Sequence, residues 1–300
     1  MTVSDASGGG GATLDRAGGE RERDGLLDTV LADDTTRALI VAGDTAPLRT
    51  PDALEWVAVA DAPADARWAF LGRDVDGAAL VVGAVAAGGK PFAAPAGWAP
   101  LRVAGAALNA ADADALVTAV SVGRWLRDAD HCPACGGPAD LHQAGWARRC
   151  PRCGREHFPR TDPAVIVAIR SATDPDRLLL GSNAMWGASR YSCFAGFVEA
   201  GESLESAVLR EVAEESGIEV TDIRYRGSQA WPYPRSLMVG FWATARQDDA
   251  ARPDGEEIVS VRWFSRAEIA AALRGEGDVL LPGPTSIAHR LIRDWCEGKP

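Results

Sequence analysis

Glu211, Glu214 and Glu215 stand at i, i+3 and i+4, a spacing that puts three carboxylates on one helix face within one turn. Like charges so placed repel one another. They make sense where hard cations such as Mg²⁺ or Mn²⁺ sit between them and a phosphate. Arg210 adjoins the set and is placed to orient a glutamate through a charge-assisted bond. A second group is built from sulfur: Cys132-Pro-Ala-Cys135-Gly and Cys150-Pro-Arg-Cys153-Gly are CxxC turns separated by fourteen residues. The glycine after each turn lets two thiolates face one ion, and two such turns complete a tetrahedral Cys₄ zinc site. Protein fills all four positions, so this zinc is structural, one per chain, and needs none of His131, His142 or His157. Cys193 and Cys296 stand alone and read as small buried apolar residues.

The elements that must position these groups follow from the apolar pattern. Leu204, Ala207, Val208 and Val212 recur at helical spacing between Gly201 and Gly217, which predicts a helix over 203–216. Strands are expected at 164–169, 177–180, 237–245 and 258–264, and a closing helix at 285–296. Strands and helices mix without regular βαβ alternation, which indicates an α+β fold. Residues 25–130 are rich in Ala and Val, with strand-like runs at 38–41, 56–59 and 79–82 and a helix at 111–126. They carry no motif with chemistry and read as an α/β packing or dimerisation domain. Residues 1–24 hold the run Gly8–Gly11 and dense charge, and are expected to form a disordered tail. The domain plan is therefore a tail over 1–24, an N-terminal domain over 25–130, a ribbon over 131–160 and a catalytic domain over 161–300.

Composition narrows the partners. A formal net charge of −11 argues against a general nucleic-acid surface, although metal ions can supply local positive charge for a substrate with phosphates. No apolar run approaches the roughly 18 residues of a membrane span, and the N-terminus is neither basic nor apolar. A cytoplasmic protein is expected, in which paired CxxC units are metal ligands before disulfides.

From Gly196 to Ile218 the chain matches G-x₅-E-x₇-R-E-U-x-E-E-x-G-U, with U apolar, at every fixed position. A chance match is on the order of 10⁻⁸ per window at background frequencies. This segment resembles the Nudix box. The resemblance implies an α/β/α sandwich with a mixed sheet, and attack of a metal-activated water on a nucleoside diphosphate linked to another moiety. It implies Glu211, Glu214 and Glu215 as ligands of Mg²⁺ or Mn²⁺, Glu215 doubling as base, Arg210 as the orienting group, and Gly196 as the residue that fixes the loop before the helix.

Beyond the box stands Ser228-Gln-Ala-Trp231-Pro-Tyr233-Pro-Arg-Ser236. Its prolines hold two aromatics in a stiff extended segment, where they either stack on a base or nicotinamide ring or fill a core. The stretch is similar to the SQPWPFPxS signature of the NudC-type NADH pyrophosphatases, departing at Ala230 and Tyr233. That subfamily also carries a Cys₄ ribbon ahead of its Nudix domain. The resemblance covers 131–300 well and 25–130 only by position and length.

It implies that Gln229, Ala230, Trp231, Pro232, Tyr233, Pro234, Arg235 and Ser236 surround the substrate, with Phe158 and Ala288 as further contacts. It also implies that Ala195, through its carbonyl, and Glu257 join the metal ligands, the neighbouring Glu256 leaving that last assignment open. Gly145 replaces a polar contact of some members. A homodimer with shared sites is implied, acting as an NAD⁺ diphosphatase on NAD(H) or removing NAD caps from RNA 5′ ends. Both reactions cut the same bond, and no motif separates them. Two alternatives remain: a Nudix hydrolase of ADP-ribose or another nucleotide sugar, against which Trp231 and Tyr233 weigh, and a ribbon-based RNA or protein adaptor, against which the metal-binding helix weighs.

Overall fold

In the computed structural model, which describes residues 14–187 and 189–299, the chain divides into two units, one ending at Arg160 and one beginning at Thr161. The first unit opens with helix α1 (Leu26–Leu31) and a seven-stranded sheet. Its strands are β1 (Arg37–Ala42), β2 (Thr45–Thr50), β3 (Ala53–Leu54), β4 (Val57–Ala58), β5 (Arg67–Arg73), β6 (Ala79–Val85) and β7 (Trp98–Pro100). The main path runs β3-β2-β1-β6-β5, with β4 on β1 and β7 on β2, and only β1 and β6 pair in parallel. After the short α2 (Leu101–Ala104), helix α3 (Ala110–Asp128) covers β1, β5 and β6. The small Ala and Val side chains of β6 let the whole strand be buried. The run expected at 56–59 forms only the two-residue β4, because the chain turns into a 3₁₀ helix at Val59–Asp61.

The expected tail needs correction where it is described. Residues 1–13 lie outside the described residues, but 14–24 are folded. Leu14 is buried, Arg73 donates its backbone N–H to Asp15 O at 2.8 Å, and its guanidinium binds Glu20 twice at 2.7 Å. Arg21 lies over the Trp146 ring at 3.7 Å. A charge run that reads as solvated is thus spent on an ion pair and a ring.

The ribbon belongs to this first unit: β8 (Asp140–His142), β9 (Ala147–Arg149) and β10 (Glu156–His157) form a small antiparallel sheet. Buried Arg148 ties it to the end of α3 by donating to Ala139 O, Leu126 O and Asp130 Oδ1 at 2.9, 2.9 and 2.8 Å.

The second unit contains β11 (Asp162–Arg170), β12 (Arg177–Asn183), β13 (Phe194–Phe197), α4 (Leu204–Ser216), β14 (Val220–Trp231), β15 (Ser236–Ala245), β16 (Ile258–Ser265), α5 (Arg266–Leu273) and α6 (Ile287–Cys296). Its sheet runs β14-β15-β11-β12-β16 with β13 on β11; β11 and β15 are parallel and the other pairs antiparallel. Successive side chains of a strand point to opposite faces. Along β11, Val165, Val167 and Ile169 join Ala207, Val208 and Val212 of α4, whereas Ile166 and Ala168 join Ile269 of α5 and Leu291 and Ile292 of α6. Both faces are covered, which makes the α/β/α sandwich with a mixed sheet. Each such Val or Ile contributes about 1.5–3 kcal/mol by burial.

Strand β14 has no counterpart among the expected elements. It is an edge strand with Asp222 at φ 51° and register shifts at 221/224 and 225/227, so its side chains never alternate cleanly. Its partner is β15, and the Pro-rich segment is therefore the tip of a hairpin. No helix among the described residues is long and apolar enough to cross a membrane.

Candidate active site and zinc ribbon

The four ribbon thiols converge. Cys132 and Cys150 are buried, and all four Sγ atoms lie within 4.8 Å of one another. Cys132 and Cys153 are 3.7 Å apart, Cys135 and Cys150 3.5 Å. A tetrahedron with Zn–S bonds of about 2.3 Å has edges of about 3.8 Å, so the set fits zinc closely. The two turns are alike: Gly136 and Gly154, at φ 70° and 72°, donate to Cys132 O and Cys150 O at 2.9 and 2.8 Å. That left-handed backbone is what glycine supplies after each CxxC.

In the second unit, α4 is capped by the Ser203 hydroxyl, which accepts from Ser206 N at 3.1 Å, and ends at Gly217 in the left-handed region. Its buried residues are Ala207, Val208 and Val212 together with Glu215 and Ser216; Glu211 and Glu215 meet β13, whereas Glu214 is exposed. Gly196 on β13 leaves room for Glu211: a Cβ there would fall 2.0 Å from its carboxylate. Glu215 is 5% exposed, and its Oε2 accepts from the Ala195 N–H at 3.2 Å.

Arg210 knits the loop to the helix. Its Nε and Nη2 donate to the two Glu202 oxygens at 2.9 and 2.8 Å, Nη2 also to Phe197 O at 2.9 Å, and Nη1 meets Glu211 at 2.8 Å and Glu214 at 3.1 Å. Glu202 is the partner that sequence reasoning passed over, although it is itself a fixed position of the motif.

Burial pushes the Glu215 carboxyl up to about 8, the charge of Glu257 adds to this, and Glu211 and Asp254 contribute less, against the pull of the Ala195 N–H. Glu211 is raised too, by burial, in spite of Arg210. Arg210 is held firmly charged, chiefly by Glu202. Carboxyl groups gathered around a buried acid in this way fit a divalent cation, whose charge would reverse the penalty. Among the described residues only the four thiols close into a single-ion cage. The glutamates stay more open, as suits an ion that keeps waters and takes substrate phosphates as ligands.

Glu257, not Glu256, is the glutamate whose charge bears on Glu211 and Glu215. Asn183 Nδ2 donates to its Oε1 at 3.3 Å. A residue missed in the sequence shapes its loop: Asp254 Oδ1 accepts from the N–H groups of Glu256, Glu257 and Ile258 at 2.7, 3.0 and 3.0 Å. The only sequence signal was the Asp254-Gly255 turn pair.

At the hairpin tip, Trp231 pairs with Ser236 across the turn, and its ring meets Tyr233 edge-on at 5.2 Å and 64°. Pro232 and Ser236 are buried, Ala230, Pro234 and Arg235 exposed, and Arg235 Nε donates to Asp162 Oδ2 at 2.8 Å. The Gln229 side chain is not free for a ligand. Its Nε2 donates to Thr285 O and its Oε1 accepts from Ile287 N, both at 2.7 Å. It therefore fixes the entry to α6, where Ala288 is buried. Phe197, 55% exposed beside Gly196, is an aromatic that sequence reasoning did not single out. Phe158 belongs to the first unit, where it is 41% exposed.

Two family models match: the NUDIX domain over residues 160–282 and the NADH pyrophosphatase zinc ribbon domain over 127–158. The chain is 41% identical to the NAD-capped RNA hydrolase NudC of Mycobacterium tuberculosis over 240 residues, 76% of this chain and 75% of that protein. It is 40% identical to the protein of the same name from Chromobacterium violaceum over 200 residues, 67% of this chain and 71% of that one. Mouse NAD(P)H pyrophosphatase NUDT13 is 37% identical over 209 residues, 66% of this chain and 58% of that protein. A Cys₄ zinc ribbon and a catalytic unit that works with Mg²⁺ or Mn²⁺ are thus parts of one known plan, and the chain belongs to the zinc-ribbon Nudix hydrolases.

Proposed function

We propose that this enzyme hydrolyses the pyrophosphate of a nicotinamide dinucleotide, NAD(H) + H₂O → NMN(H) + AMP, and cuts the same bond in NAD-capped RNA to leave a 5′-monophosphate. The relatives named for NAD-capped RNA and for NAD(P)H both act across that linkage. The observation that carries the reading is the buried Glu215 carboxyl facing Glu257 and Glu211 beside Gly196.

In this reading Glu211, Glu214, Glu215 and Glu257, with the Ala195 carbonyl, hold Mg²⁺ or Mn²⁺. Held there, the cations would supply charge neutralisation for the pyrophosphate and a lowered pKa for the attacking water. Glu215, buried with its Oε2 on the Ala195 N–H, is the base of this reading, the cations offsetting the burial and carboxylate repulsion that raise its carboxyl in their absence. Arg210 keeps Glu211 and Glu214 oriented while anchoring the loop through Glu202. Trp231 and Tyr233 offer an aromatic surface to the nicotinamide or base, the remaining residues of 230–236 line it, and Gln229 acts at one remove by holding the stretch that carries Ala288. Phe158 remains a contact on the resemblance alone. We assign a homodimer in the cytoplasm on the same ground, to be checked by light scattering and by fractionation.

Single-turnover rates on NADH, NAD⁺, ADP-ribose and NAD-capped RNA test the proposal. The dinucleotides and the capped RNA should outrun ADP-ribose by at least about ten-fold, the worth of one stacking contact. A faster rate on ADP-ribose would make this a nucleotide-sugar hydrolase instead.

A further inference from the structure

Glu257 stands just beyond a break in a strand ladder. β12 pairs with β16 in even antiparallel register from Arg177↔Ser265 to Ser182↔Ser260, and then Asn183 faces Ile258 instead of Val259. Val259 is the extra residue of a bulge, and it lies 49% exposed. The bulge resets the alternation of side chains. Val261 and Trp263 pack on the α4 side of the sheet, and Ile258 takes the place there that a regular strand would give to Val259. Bulges bend a strand and re-aim what it carries. This one brings Asn183 opposite the loop of Glu257.

Glu257 is held there at its backbone and at its side chain. Asp254 Oδ1 accepts from its N–H at 3.0 Å, and its carbonyl accepts from the Ala184 N–H at 2.8 Å. On the side chain, Asn183 Nδ2 donates to Oε1 at 3.3 Å. The direction of that amide follows from its other bond. Met185 N donates to Asn183 Oδ1 at 2.9 Å, and a backbone donor can be met only by the amide oxygen, so the NH₂ faces the carboxylate. Trp186 N donates to the Asn183 carbonyl at 2.9 Å and closes the same turn. Asn183 is half-buried, whereas Glu257 is exposed.

The helix glutamates need no such help. Glu211 and Glu215 stand on α4, one against Gly196 and the other on the Ala195 N–H. Glu257 comes from a loop, where a free side chain loses rotamer freedom on taking a cation. Held by one oxygen, it keeps the other and its remaining lone pairs for that cation. We propose that Asn183 is a positioning residue, which holds the Glu257 carboxylate ready for a divalent cation and acts on hydrolysis only through it. This rests on the reading of Glu257 as a ligand of Mg²⁺ or Mn²⁺.

The test compares Asn183→Ser, Asn183→Ala, Glu257→Gln and the double variant Asn183→Ser/Glu257→Gln in the full-length, zinc-loaded enzyme. A serine hydroxyl still accepts from the N–H of Met185, so the turn survives, but it is too short to reach Glu257. Mn²⁺ binding without substrate, followed by electron paramagnetic resonance, should weaken about ten-fold in both Asn183 variants, as expected when a metal ligand loses the partner behind it. Turnover of NADH should fall at limiting Mn²⁺ and return to the wild-type rate at saturating Mn²⁺, with KM for NADH unchanged. In the Glu257→Gln background, Asn183→Ser should weaken Mn²⁺ binding no further, since the carboxylate it held is gone. Wild-type Mn²⁺ affinity in Asn183→Ser overturns the proposal and leaves Glu257 its role as a ligand. An equal loss with and without the Glu257 carboxylate also overturns it, as an effect on the fold at large. A Glu257→Gln variant that binds Mn²⁺ as the wild type does would sink the ligand assignment, and this proposal with it.

Discussion

The carboxylate of Glu211 lies against the backbone of Gly196, where a methyl group would meet Cδ at 2.0 Å and both oxygens within 2.3 Å. Gly196 faces Val165 in the β13–β11 ladder, so the position is an ordinary strand site whose missing side chain the helix occupies. The first glycine of the motif and the first glutamate of its acidic turn are two halves of one contact.

Gly196→Ala should therefore separate activity from stability. The atom that must yield is the end of a flexible side chain, so the fold shifts little, by about 1 kcal/mol or less. The carboxylate, however, is driven off its place, and kcat should fall at least about ten-fold with a raised Mg²⁺ requirement, as a ligand moved by about 1 Å implies. Wild-type turnover at the same Mg²⁺ concentration would show that Glu211 does not need this seat.

What was legible in the sequence was what is local in it. The acidic turn, the CxxC turns and the apolar face of α4 each lie within a few residues, and one helix or loop period decodes them. Relations across the chain were not legible. Gln229 stood in a substrate-like motif, yet its amide is consumed by Thr285 and Ile287, more than fifty residues on. Asp254 shapes the Glu257 loop through backbone N–H groups, which leave no side-chain pattern to read. The charges of 14–24 looked solvated because their partners, Arg73 and Trp146, are distant in sequence. Strand β14 escaped because its bulges break the period of two that identifies a strand.

Glu215 gives the metal-free enzyme a pH signature. Its carboxyl rises from an ordinary 4.5 to about 8 on folding. Between those values the native state holds a proton that the unfolded chain has lost, so this stabilising contribution is complete below pH 4.5 and disappears as pH rises through 8. With zinc in place and Mg²⁺ withheld, Tm should drop from pH 5.5 to 8.5 more in the wild type than in Glu215→Gln, in which other groups still titrate. Added Mg²⁺ should raise the wild-type Tm most at the alkaline end. Identical pH profiles for the two proteins would remove Glu215 from the buried acidic cluster.

Zinc should hold the first unit together. Cys150→Ser removes a fully buried ligand from a complete tetrahedral set. Because Arg148 bonds the ribbon to Leu126 O and Asp130, loss of the ribbon's shape should also loosen the end of α3. The variant should contain far less than the wild type's one zinc per chain and melt lower, metal binding being folding free energy here. Metal analysis with calorimetry checks both, and a variant that keeps full zinc and full Tm would overturn the Cys₄ assignment.

Trp231 is where the proposed preference for a nicotinamide dinucleotide is most exposed to test. It sits at the end of β14 opposite Ser236, half-buried, with Tyr233 edge-on at 5.2 Å. Strand pairing there is made by the backbone, so Trp231→Ala should leave the hairpin standing while removing the aromatic face. If that face carries the ring of the substrate, a contact worth about 1–3 kcal/mol is lost, a drop of about 5- to 150-fold in kcat/KM on NADH and NAD-capped RNA. Activity on ADP-ribose, which has no nicotinamide ring, should fall much less. A Trp231→Phe variant should recover most of the difference, since stacking survives in the smaller ring. A tryptophan that serves only to hold the hairpin or a subunit contact behaves otherwise. Its loss lowers Tm or dissociates the protein, and all substrates decline by one factor. Rates on the three substrates, Tm and light scattering from a single preparation separate the outcomes, and a uniform decline with a lowered Tm would place Trp231 in the scaffold.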